Sequence, residues 1–101
     1  MEVELTERGY LRIPAAMAQQ YFPAWVLVAF YDAPMLRLLP LRGPEAGGLL
    51  LKQRTLQGDC AVLVWEVIPP DSLPGHYTAV WDEAQGALLV NLESSNERVS
   101  Q

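Results

Sequence analysis

The stretch Gly9-Tyr10-Leu11-Arg12-Ile13-Pro14 constrains this chain more than any other. There a run with strand chemistry meets a proline, and a run with helix chemistry follows. Upstream, residues 1–6 alternate, with Val3 and Leu5 on one face and Glu2, Glu4 and Thr6 on the other. Period two reads as a half-buried strand. Glu7-Arg8-Gly9 interrupts it, and Gly9 supplies a turn or bulge where positive φ is available. Tyr10, Leu11, Arg12 and Ile13 resume the strand. Pro14 suits the first helical turn, where a missing N–H costs nothing. Residues 15–22 are rich in helix formers, and the i,i+4 pairs Met17/Tyr21 and Ala18/Phe22 mark the buried stripe. Pro23 ends the helix after about two turns, because a residue before proline avoids the α region. So short a helix needs packing to hold it.

Residues 25–31 (Trp-Val-Leu-Val-Ala-Phe-Tyr) and 35–41 are strand-like and are joined by the turn chemistry of Asp32-Ala33-Pro34, which together predict a hairpin. Pro40 cannot donate to a ladder, so the second strand is expected at a sheet edge or to end near that proline. Residues 42–48 hold three glycines and a proline and read as a linker between two halves of one domain. Beyond it, strands are expected over 49–55, 60–68, 76–81 and 87–92. Turns at 57–59 and 82–86 and a proline-rich loop at 69–75 separate them. Cys60 to Ile68 is apolar apart from Glu66, which suits a central strand covered on both faces. Residues 93–101 are polar and expected to fray.

Composition narrows the function classes. Half of the 101 residues are apolar and 19% are charged, a globular balance that predicts one domain. Cys60 is the only cysteine, so neither an intrachain disulfide nor a thiolate metal cage can form. With no leader pattern and no apolar run near 18 residues, a cytoplasmic protein without a membrane span is expected. The net charge of −5 is uneven: residues 1–43 balance four acids against Arg8, Arg12, Arg37 and Arg42, whereas 44–101 carry eight acids against Lys52, Arg54 and Arg98. This disfavours nucleic acid, since neutralising phosphates needs a basic face.

Local clustering of Asp71, Ser72 and His76 invites a triad reading, but a proline loop offers neither an oriented base nor an oxyanion hole. Cys60 follows a turn and has no cation near it in sequence, so a buried structural thiol is expected. Glu66 shares a strand face with Val62, Val64 and Ile68, and is expected to be partly solvated or paired with Lys52 or Arg54 on the neighbouring strand. Trp25, Trp65 and Trp81 are expected in the core, and any that is exposed would mark a contact surface. No catalytic, cofactor-binding or metal residue is assigned.

The order of strand, Gly9 turn, strand ending in Ile13-Pro14, short helix and hairpin resembles the AbrB-like swapped-hairpin family, which includes transition-state regulators and MazE-type antitoxins. The resemblance covers the first 41 residues. It implies an obligate dimer of intertwined hairpins that binds DNA through basic residues near the first turn, here Arg8 and Arg12. Tyr10 stands where the family usually places an arginine, and Gln19 and Gln20 replace its basic helix positions.

The expectation is therefore a mainly β single domain over 1–101. It would have a swapped-hairpin-like half over 1–41 with one short helix, a linker at 42–48, a four-strand antiparallel meander over 49–92 and a frayed tail over 93–101. The expected function is non-catalytic: self-association as a homodimer and contact with an unidentified protein partner. One alternative is a DNA-binding regulator using Arg8 and Arg12. A second is a small-ligand domain lined by His76, Glu66 and the 69–75 loop.

Overall fold

A computed structural model describes residues 1–43 and 48–95. Residues 44–47 of the expected linker and 96–101 of the expected tail lie outside the described residues. The alternating N-terminal segment forms β1 (Glu2–Leu5) and β2 (Tyr10–Ile13), with Val3, Leu5, Leu11 and Ile13 all buried. The turn between them is closed by the Gly9 N–H donating to the Thr6 carbonyl and the Tyr10 N–H donating to Thr6 Oγ1. Gly9 sits at φ +88° with Trp65 directly over its α-carbon.

Helix α1 (Ala15–Tyr21) starts one residue later than expected. Pro14 is its N-cap, extended at φ −60° and ψ 153°, and not its first helical residue. Proline has no side-chain acceptor for the free N–H groups of the first turn. Asp59 fills that role from 44 residues away, its Oδ1 accepting from the Ala15 N–H at 2.9 Å. Met17, Ala18 and Phe22 enter the core, and Tyr21 stacks on Trp81 with centroids 4.3 Å apart.

Strands β3 (Val26–Asp32) and β4 (Met35–Pro40) form the expected hairpin, turning through a cis Ala33–Pro34 peptide. The short strands β5 (Leu49–Leu50) and β6 (Lys52–Gln53) follow, then β7 (Cys60–Leu63), β8 (Gly75–Asp82) and β9 (Ala87–Ser95). The described strands make one antiparallel sheet in the order β5-β3-β4-β9-β8-β1-β2-β7-β6. The fold is mainly β.

The sheet's two edges, β5 and β6, are one residue apart in sequence. The segment 49–53 pairs with β3 through Leu49 and Leu50, and with β7 through Lys52 and Gln53. Leu51, between them, turns its side chain into the core and donates its N–H to the Trp25 carbonyl. One bent strand thus joins both edges and curls the sheet into a nearly closed barrel, which removes the liability of open edges.

Of the two placements expected for Pro40, the second holds: β4 ends at Pro40 and lies between β3 and β9, not at an edge, and the ladder to β9 uses only Met35 to Leu38, so the missing N–H is not called on. Three expectations are corrected. The second half is not a meander of four sequential neighbours. β6–β7 and β8–β9 are hairpins, but the β1–β2 hairpin is inserted between β7 and β8. The strand expected over 60–68 stops at Leu63, because Val64 donates to the Gly9 carbonyl and then receives the N–H groups of Val67 and Ile68 in a tight turn. Residues 93–95 continue β9 and are not frayed.

Candidate functional site

In a barrel whose interior is filled by its own side chains, the outward rows of the strands present the chemistry. Directly opposed residues on neighbouring strands point to the same face. The register therefore aligns His76, Glu4, Arg12, Ala61 and Lys52 in one outward row across β8, β1, β2, β7 and β6. A groove of about 750 Å³ runs along this row; Arg8, Arg12, Arg54, Tyr10, Glu4 and His76 are among its walls. The Arg54 guanidinium lies 5.4 Å from the centre of the Tyr10 ring. Arg12 Nη1 is 3.8 Å from Glu4 Oε1, with both side chains about half exposed. A pair so solvated contributes little and leaves Arg12 available to another anion.

Next to the groove lies a smaller hollow of about 260 Å³, with Tyr10, Leu49, Leu50, Lys52, Ala61 and Leu63 among its walls. Tyr10 and Ala61 belong to both hollows. Leu63 stands directly opposite Tyr10, and Leu50 and Leu63 are 59% and 44% exposed.

The residues expected to carry function fall as follows. Arg8 and Arg12 share the groove, joined by Arg54, and Lys52 lines the neighbouring hollow. Glu66 is exposed in the turn after β7 and does not oppose Lys52 or Arg54, so of the two placements expected for it the solvated one holds. Asp71, Ser72 and His76 do not assemble: Ser72 Oγ donates to the Pro69 carbonyl at 2.7 Å, and His76 Nδ1 faces Glu2 Oε1 at 3.8 Å. His76, Pro74 and Gly75 do border the groove, but Glu66 is not among its walls. Trp81 is partly buried, whereas Trp25 and Trp65 are 41% and 57% exposed, contrary to the core placement expected of them.

Cys60 is buried, and its Sγ–H donates to the Gly58 carbonyl at 3.1 Å. Burial pushes its thiol pKa up, and the adjacent Asp59 carboxylate adds to the effect. Both causes disfavour the thiolate, so folded protein should react with a thiol reagent at neutral pH far more slowly than unfolded protein. Because the folded-state pKa is raised, the folded state holds its proton longer. The associated stability is complete below the unfolded thiol's pKa and falls as pH climbs through the folded one. Urea unfolding across the alkaline range should register that decline in wild type and not in Cys60→Ala.

A second outward row crosses the opposite part of the sheet. The register aligns Phe30, Arg37, Leu89 and Val80 across β3, β4, β9 and β8. Phe30 is 53% and Val80 56% exposed. Arg37 lies in this row with its Nη2 3.5 Å from Asp32 Oδ2, and its Nε is buried without a hydrogen-bond partner. The missed feature common to both faces is the cross-strand row. Alternation within a strand shows that Phe30 or Leu63 faces outward, but only the register shows which outward residues meet.

Among the described residues, no group of three or more His, Cys, Asp or Glu stands together as a metal site, and no helix is long and apolar enough to cross a membrane. No family model matches the chain, and neither a curated protein nor a solved structure matches it.

Proposed function

We propose that this chain is a non-catalytic interaction protein that pairs with a second copy of itself and contacts another protein. The observation that carries the reading is the apolar row Phe30–Leu89–Val80 on the outer face of the barrel. Apolar side chains from three strands, with the Arg37 stem between Phe30 and Leu89, make a contact surface by chemistry, and water is a poor solvent for them. The cytoplasm is the compartment that suits a free buried thiol.

Sedimentation velocity on Val80→Asp tests the assignment. A carboxylate at the β8 end of the row should weaken self-association by about thirtyfold or more, the effect of losing one hot-spot residue. Val80 is exposed in the single chain, so the urea midpoint of the monomer should barely move. Undiminished self-association would assign the contact to another face.

A DNA-binding regulator is the second reading. Its support is that Arg8 and Arg12 border one groove together with Arg54, and the oligonucleotide arm of the titration below tests it.

A further inference from the structure

We propose that the groove over β1, β2 and β7 binds an acidic polypeptide segment, and that the neighbouring depression takes an apolar side chain of the same segment. The proposal rests on the reading of the chain as an interaction protein and names the chemistry of its second partner. Three observations carry it. The chain is acidic overall, yet Arg8, Arg12, Lys52 and Arg54 gather on this face, leaving Arg37 and Arg42 as the other bases among the described residues. Arg8, Lys52 and Arg54 make no ion pair with a carboxylate among the described residues, and Arg12 has only its long, solvated contact with Glu4. The cationic groove also runs into an apolar hollow, with Tyr10 forming part of both.

The same observations separate a peptide from a nucleic acid. Glu4 and Glu7 stand among the groove's cations. A phosphate backbone carries charge at every step and has to run past these carboxylates, in the field of a chain whose net charge is −5. A peptide sets each carboxylate singly, so it can engage Arg8, Arg12 and Arg54 and leave the acids to water. Arg54 presents the planar fork that pairs best with a carboxylate, and it is already positioned against Tyr10. Leu50 and Leu63 want an aliphatic or aromatic side chain, which a nucleic-acid backbone does not offer. Tyr10 supplies a rigid flat wall between the two at low entropy cost.

Fluorescence anisotropy tests this with three labelled probes: a short Asp/Glu peptide with two central leucines, the same peptide with serine at those positions, and a single-stranded oligonucleotide of similar length. The leucine peptide should bind wild type at low salt and weaken at about 0.15 M salt. The serine peptide should bind about tenfold more weakly or worse. Arg54→Glu and Leu63→Ser should each weaken the leucine peptide about tenfold while keeping the wild-type urea midpoint, since both side chains are exposed. The proposal is overturned by no peptide binding at low salt, by equal binding of the two peptides, or by an oligonucleotide that binds more tightly than the leucine peptide. Molecular mass measured in parallel keeps the two readings apart: a monomer that binds the peptide removes self-association alone, and a dimer that ignores it removes this site alone.

Discussion

Replacing Gly9 with alanine should destabilise the protein by about 3 kcal/mol or more, adding the cost of a non-glycine residue at positive φ to that of a steric collision. At φ +88° a β-carbon is strained whatever surrounds it. Here the space is also taken: the added carbon would stand 2.2 Å from the Trp65 β-carbon and 3.1 Å from its α-carbon. Backbone and a bulky side chain root occupy that volume, so neither can swing aside without moving the turn after β7. Gly86 provides the control. It sits at φ +62° with nothing near its would-be β-carbon, so Gly86→Ala should cost only the conformational term, about 1 kcal/mol. Urea unfolding at constant m-value measures both. If the two substitutions cost the same, Trp65 is not seated over the first hairpin.

Truncating Leu51 to alanine should cost about 3 kcal/mol, within the range for a buried leucine. For a domain of this size that lowers the melting temperature on the order of 15 °C. The same change at Leu50 should be nearly silent, although the two residues are adjacent. Leu51 is 3% exposed and points into the core, whereas Leu50 is 59% exposed. Leu51 also sits at the bend where segment 49–53 passes from β3 to β7, so loosening it weakens both ladders that close the barrel. Equal effects at 50 and 51 would mean that this segment does not join the sheet's edges.

The local half of the architecture was legible. Alternation marked β1 and β2, and the Met17/Tyr21 and Ala18/Phe22 pairs marked the helix. Proline and glycine punctuation bounded the hairpin of β3 and β4. What failed was non-local. Nothing in residues 49–92 alone says that the β1–β2 hairpin inserts between β7 and β8, because that order is set by pairings such as Leu11 with Val62 and Val3 with Tyr77. The apolar run from Cys60 to Ile68 looked like one strand because its turn carries no glycine; the Val64 N–H still donates to the distant Gly9 carbonyl, and the Val67 and Ile68 N–H groups then donate to the Val64 carbonyl and turn the chain away. The same distance effect hid the candidate site. Arg8 and Arg12 were visible as a pair near a turn, but Arg54 and Lys52 reach them only through the β2–β7 and β6–β7 registers. In sequence Tyr10 only breaks a basic pattern; in the fold it forms part of two adjoining hollows.

Self-association through the Phe30–Leu89–Val80 face rests on one physical fact, that Phe30 and Val80 are exposed and aligned with the half-buried Leu89 between β4 and β8. Light scattering on the eluting wild-type protein, taken over a range of loading concentrations, addresses it without any substitution. The predicted result is a mass of twice the 11.3 kDa chain at micromolar concentration, falling towards the single-chain value on dilution. A mass that stays at the single chain throughout that range would contradict it.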